Sequence, residues 1–148
     1  MKQGDETKVS EFISVVFNQF VAPGFSQDGI DEFMNYIKPD AIENQLKENY
    51  FAFIATLGEE ILGVIEVRDN DHVALFFVDG RFQRKGIGKK LLQIALELCS
   101  SIDSKVSKIT VNASPNSITA YETLGFEITD VEQCKNGIRF VPMVLRLK

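Results

Sequence analysis

The residues of this chain best suited to do chemistry lie in one short run, Val78-Asp79-Gly80-Arg81-Phe82-Gln83-Arg84-Lys85-Gly86-Ile87-Gly88-Lys89. It leads from the end of a strand pattern into the start of a helical one. A helix N-terminus carries backbone N–H groups without intrahelical acceptors and the positive end of the helix dipole. Those groups hold a diphosphate when the main chain can approach it closely, and Gly86 and Gly88 remove the side chains that would obstruct it. Arg84, Lys85 and Lys89 add positive charge. The same glycines also suit a plain strand-to-helix turn, and the loop alone does not separate the two readings. Other phosphate loops fit poorly. No glycine follows Gly88 at the spacing of a dinucleotide fingerprint, and Lys85 stands where a P-loop needs glycine.

Few other residues offer reactive chemistry. Glu66 sits in Val64-Ile65-Glu66-Val67-Arg68, a mid-strand position where a charge is costly unless it is used or paired. That makes it a candidate general base; an ion pair, with Arg68 on the same face at period two or across to a neighbouring strand, is the competing reading, and a water chain with no dedicated base is a further alternative. His72, the one histidine, titrates near neutrality but opens its strand beside a turn, so it reads as exposed. Cys99 and Cys134 lack metal or redox spacing, and Cys99 falls on an apolar helical stripe as a small buried hydrophobe. No metal site is expected.

The elements that must position these residues follow from periodicity. Val9, Phe12, Ile13, Val16, Phe17 and Phe20 predict an amphipathic helix over 7–21, stopped by Pro23-Gly24. Ile30, Phe33, Met34 and Ile37 mark a second helix closed by Pro39, and Ile42 and Leu46 a short third. Runs at 50–57, 61–68 and 72–78, joined by short turns, predict an antiparallel meander. A helix from Ile87, with Leu91, Ile94, Ala95 and Leu98 on its apolar stripe, leads to a strand at 108–111. That strand–helix–strand unit must be a parallel crossover. Ser114-Pro115 predicts a capped helix start, and Gly125 its end. Two strands, 126–134 and 138–147, flank Asn136-Gly137, which favours a type I′ hairpin. The reading is one α/β (α+β) domain over residues 1–148, with a mixed, mostly antiparallel central sheet and helices on both faces.

Composition narrows the classes further. With 148 residues, 45% hydrophobic and 25% charged, the chain has the make-up of one folded domain. A net charge of −5 argues against nucleic acid as partner, and is compatible with cationic small molecules or basic peptides. No apolar run reaches the ~18–20 residues of a membrane span, and the polar start lacks a secretory signal, so no membrane partner and a cytoplasmic location are expected.

Two segments, in order, carry a resemblance to a known family. Gln83-Arg84-Lys85-Gly86-Ile87-Gly88 is similar to the Q/R-x-x-G-x-G/A coenzyme A signature of the GNAT superfamily of N-acetyltransferases, with Val78 ending the preceding strand. Val111-Asn112-Ala113-Ser114-Pro115-Asn116-Ser117, continuing through Ala120-Tyr121 to Leu124-Gly125-Phe126, resembles the family's N-x-S-P-N…A-Y-x-x-L-G-F segment. The tail from Asn136 to Met143 is similar to the closing hairpin of one bacterial branch. The resemblance covers roughly 51–147 and implies a GNAT-like fold whose central strands splay apart, preceded by an opening strand for which Met1–Glu6 is short and polar. It implies acetyl-CoA as co-substrate and direct transfer of the acetyl group to a primary amine of a small molecule or peptide.

It further implies that Phe76 and Val78 supply main-chain hydrogen bonds in the gap, with Val78 N–H on the thioester carbonyl. Gln83, Arg84, Lys85, Gly86, Ile87, Gly88 and Lys89 would hold the diphosphate, and Asn116 the pantetheine arm or a water. Tyr121 would protonate the leaving sulfur, or merely pack beside Ile118 and Leu124. With Glu66 as base, these are the expected site residues. Acceptor recognition is assigned to the first two helices and residues 21–28, with Asp28, Asp31 and Glu32 as a possible cation attractor or simply a solvated face. A transferase of another short acyl group, or a regulatory coenzyme A-binding domain without turnover, is the alternative. The assembly would be a monomer or a homodimer.

Overall fold

The computed structural model describes residues 1–83 and 85–147. Helices α1 (Glu6–Phe20), α2 (Gln27–Tyr36) and α3 (Pro39–Leu46) precede strands β1 (Tyr50–Leu57), β2 (Glu60–Arg68) and β3 (His72–Val78). Then follow α4 (Ile87–Ile102), β4 (Lys108–Ala113), α5 (Ile118–Thr123), β5 (Glu127–Ile128), β6 (Gln133–Lys135) and β7 (Ile138–Arg146). The strands order as β1-β2-β3-β4-β7-β5, with β6 on the free length of β7. Every pairing is antiparallel except β3–β4. The mixed, mostly antiparallel sheet read from the sequence is therefore the one observed.

Both faces of the sheet are covered because β2 is apolar on both. Ile65 and Val67 point to a core with Leu91, Leu92, Ala95 and Cys99 of α4, against which Tyr121 and Leu124 of the α5 region also pack. Val64 points the other way, into a core with Val9 and Ile13 of α1 and with Ile37 and Ile42. Glu66 shares the Val64 face by strand alternation, so the fold carries a carboxyl into that second core. Among the described residues it is the one polar or charged residue that is fully buried, with 1% exposure.

Several local details depart from the sequence reading. Pro39 does not only close α2; it occupies the first turn of α3, where its missing N–H costs nothing. No strand opens the chain. Gly4, at φ +99°, turns it into α1, and the Met1 ammonium donates to the Ala52 carbonyl of β1 at 3.2 Å. The strand expected over 126–134 is two short pieces. Pro142 accepts from the Thr129 N–H at 3.0 Å but has no N–H to return, and residues 129–132 bulge out of the ladder opposite it. Ser114 does not cap a backbone N–H; its hydroxyl meets that of Ser117 at 2.6 Å, and Pro115–Ser117 forms a 3₁₀ turn before α5 begins. Asn136 and Gly137 both have positive φ, 53° and 80°, as a type I′ turn requires.

The start of α2 and this hairpin tip touch through bare backbone. A Cβ on Gly29 would lie 2.1 Å from the Gly137 carbonyl oxygen. Ser26, the N-cap of α2, accepts from Gly29 N–H at 3.2 Å and donates to that same carbonyl at 3.3 Å. Gly29→Ala is therefore expected to force the two segments apart. The expected cost is about 1–3 kcal/mol, or a melting temperature lower by about 3–10 °C in a thermal scan. An unchanged melting temperature would show that the contact is loose.

Candidate active site

The site begins where two strands part. β3 and β4 pair only at His72↔Thr110 and Val73↔Val111, although β3 runs on to Val78 and β4 to Ala113. The break coincides with a bulge: Val67 faces Val73 and Glu66 faces Leu75, so Ala74 is an extra residue that bends β3 away from β4. The splayed central strands expected from the resemblance are present.

The open edge has a definite polarity. The Asp79 N–H bonds to the Leu62 carbonyl at 2.8 Å, toward β2. Main-chain groups alternate sides along a strand, so the N–H groups of Phe76 and Val78 point the other way, into the gap. The Gln83 amide donates to the Val78 carbonyl at 3.1 Å and fastens the loop to the strand end. Arg81 is engaged within that loop, bonded to Asp79 at 3.0 Å and to Glu60, so its charge serves the turn. The loop enters α4 through Gly86, whose φ of +86° is the left-handed region where a side chain is strained. Among the described residues no side chain caps this helix, leaving the N–H groups of Ile87, Gly88 and Lys89 facing outward from its first turn. A Cβ on Gly86 would meet nothing within 4 Å, and one on Gly88 would rest against Phe76 and Val78 at 3.6 Å. Lys85 and Lys89 are exposed beside this cradle, and Arg84 lies outside the described residues. An uncapped helix start, two lysines and open space fit a diphosphate; the unpaired strand edge fits an extended amide-bearing arm.

The gap opens into a cavity of about 370 Å³. Phe76, Val111, Ser114, Ser117 and Tyr121 form the wall on the β3–β4 side. Phe17, Val21, Phe25, Glu32, Phe33 and Tyr36 form a wall from α1, α2 and their connection. Lys135, Asn136, Ile138, Arg139 and Phe140 of the hairpin close it. The segments to which acceptor recognition is assigned, α1, α2 and residues 21–28, thus border this cavity. Of the three acidic residues proposed there, Glu32 reaches the lining, whereas Asp31 accepts from Gln27 at 2.9 Å and Asp28 is exposed outside it.

Tyr121 stands edge-on to Phe76, with ring centroids 6.0 Å apart, and to Phe126 at 5.3 Å. Burial pushes its hydroxyl well above the usual phenol range, so it stays protonated at any working pH. Asn116 is exposed, in the 3₁₀ turn, and donates to the Phe20 carbonyl at 3.3 Å, tying that turn to the end of α1. Glu66 is not part of the cavity lining; it lies near Tyr36, which is. Its Oε1 is buried without a hydrogen-bond partner, and burial alone raises its carboxyl to about 8. No Glu66–Arg68 ion pair forms among the described residues.

His72 corrects the reading of an exposed histidine. It is half-buried and lines the cavity, because its strand is paired on both sides at that point, to Arg68 and to Thr110. Its Nδ1 lies 2.7 Å from the Thr110 hydroxyl, which itself donates to the Asp71 carbonyl at 3.3 Å. With that proton committed, His72 Nδ1 is the donor and Nε2 the free acceptor. Burial, then the Arg68 charge, pulls the imidazole down to about 4, so it is neutral near pH 7. Cys99 is fully buried, and its thiol is pushed up to about 11, chiefly by that burial, as suits a packing residue.

A family model described as an acetyltransferase (GNAT) domain matches residues 21–147, most of the chain. The chain belongs to the GNAT acetyltransferase family. As a member of it, this protein is an acyltransferase. The fold of this acetyltransferase is similar to that of a GCN5-related N-acetyltransferase from Rhodopseudomonas palustris, at 17% identity, 99% and 92% coverage of the two chains and a TM-score of 0.83. The PaiA N-acetyltransferase of Thermoplasma acidophilum, solved with coenzyme A, matches at 17% identity, 99% and 95% coverage and 0.80. A GNAT-family acetyltransferase from Staphylococcus aureus matches at 20%, 100% and 96%, and 0.75. Among curated proteins, none matches the chain. No helix of this acetyltransferase, among the described residues, is long and apolar enough to cross a membrane.

Proposed function

We propose that the protein transfers an acetyl group from acetyl-CoA to a primary amine of a small molecule or peptide, by direct attack in a ternary complex. The observation that carries this reading is the unpaired β3 edge, which reaches the cavity through Phe76, with the uncapped start of α4 packed beside that same edge at Gly88. Bound acetyl-CoA would supply the thioester carbonyl that the amine attacks. The N–H groups of Ile87, Gly88 and Lys89, with Arg84, Lys85 and Lys89 charge, hold the diphosphate. Gln83 sets the loop against Val78. Main-chain groups of Phe76 and Val78 bind along the gap, and Val78 N–H stabilises charge developing on the carbonyl oxygen. Asn116 fixes the turn bordering that channel and keeps its own carbonyl oxygen for the pantetheine arm.

Tyr121 donates the proton to the departing sulfur. Glu66 accepts the amine's proton through a water step past Tyr36. Its elevated pKa suits a base at neutral to mildly alkaline pH better than an ordinary carboxylate would be. A melting-temperature shift with acetyl-CoA, larger than with NAD or ATP, and thiol release dependent on an added amine are the expected results. Gly86→Val is expected to weaken acetyl-CoA binding at least ~tenfold by calorimetry. It should also lower stability by about 1–3 kcal/mol, because a β-branched residue is strained at φ +86°. Undiminished binding would refute the cradle.

A further inference from the structure

The lining of the cavity has a charge balance opposite to that of the chain. The protein as a whole is acidic, at −5, which by itself points toward cationic partners. Among the described residues that line the cavity, the charged groups are Arg68, Lys135, Arg139 and a single carboxylate, Glu32. Arg139 is already engaged: its guanidinium forms a two-pronged pair with Glu132, at 3.0 Å for each bond, and donates to the Gly24 carbonyl at 3.4 Å. Arg68 and Lys135 form no ion pair among the described residues. The nearby buried groups do not offset them. His72 is neutral, and the Glu66 carboxyl, held near 8, is mostly protonated at pH 7. The remaining wall on that side is aromatic, from Phe33, Tyr36 and Phe140, and so screens charge less than water does.

Resting on the transferase reading above, we infer that the acceptor is a primary amine that also carries an anionic group, a carboxylate or a phosphate, and that Arg68 and Lys135 recognise that group. A guanidinium suits either anion in a bidentate geometry, and a lysine adds a point charge to it. Glu32, on the opposite wall, gives the cavity one site of the sign that an ammonium prefers. Arg68 closes β2, and Lys135 precedes the hairpin turn, so the two reach the cavity from opposite ends of the sheet path. They select the acceptor and take no part in bond making.

The test uses matched pairs of amines that differ only in the anion: lysine against cadaverine, tyrosine against tyramine, and phosphoethanolamine against ethanolamine. Thiol release from acetyl-CoA gives kcat/KM for each, and the anion-bearing member of at least one pair is expected to lead by about tenfold or more. Which pairs show the lead separates carboxylate from phosphate. In Arg68→Gln and, independently, Lys135→Gln, that ratio is expected to fall toward one through KM, with the melting-temperature shift from acetyl-CoA retained. Preference for cadaverine, tyramine and ethanolamine, or a variant effect uniform across each pair, would overturn the inference while leaving the transferase reading intact. Thiol release with no amine at all, despite an acetyl-CoA shift, would overturn both.

Discussion

Replacing Tyr121 with phenylalanine is expected to lower kcat for acetyl transfer by about 10²-fold while changing acetyl-CoA affinity by no more than about threefold. The substitution leaves the ring in place. Its edge-on contacts with Phe76 and Phe126 depend on the aromatic face and rim, which phenylalanine keeps, so the fold and the wall of the gap survive. Only the hydroxyl is lost, and it is a proton donor held in its protonated form by burial. A thiolate leaving without a proton is a poorer leaving group, so the loss falls on the chemical step. Single-turnover kinetics beside calorimetric binding of acetyl-CoA separates the two quantities. Equal turnover by the variant would reduce Tyr121 to a packing residue of the α5 region.

How much of this was legible beforehand depends on whether a signal is local. Gly86 announces itself because a left-handed residue entering a helix is a local demand, and the same holds for Gly125 and for Asn136-Gly137. The three strands of the meander read correctly because β-branched and aromatic runs between turns are also local. The splitting of the 126–134 strand was not legible. It arises from Pro142, which lies on the partner strand and withholds a hydrogen bond from residues distant in sequence. Gly29 carried no signal for the same reason: the atom it must avoid belongs to Gly137. Glu66 was visible as a misplaced charge, but which layer it enters depends on the helices that cover each face. Arg68, His72 and Lys135 meet at one cavity only after β2, β3 and the hairpin are assembled, so no spacing in the chain reveals them together.

Glu66→Gln is expected to remove a pH dependence of stability worth on the order of 4 kcal/mol. In the folded protein the carboxyl titrates near 8, against 4.5 when solvated, so the native state holds its proton through a range where the unfolded chain has released it. Stability from this group is complete below pH 4.5 and is lost as pH rises through 8. His72 acts in the opposite sense: with its imidazole lowered from 6.5 to about 4, the native state refuses a proton that the unfolded chain binds, so stability is lost as pH falls from 6.5 to 4. Between 4.5 and 6.5 the two slopes cancel, and the wild-type curve is flat there before it falls toward pH 8. Tyr36, Tyr121 and Cys99 are all shifted further into the alkaline range, and Asp79 further into the acid range, so none of them enters this window. With Glu66→Gln the flat stretch should become a rise with pH, from His72 alone, followed by a plateau. Denaturant unfolding at half-unit steps from pH 4 to 8.5 reads both curves, and parallel curves would show that the carboxyl is hydrated in solution. In catalysis, the same substitution should remove the component of kcat/KM that rises through about pH 8. A rise that persists unchanged would assign the proton to a water chain without Glu66.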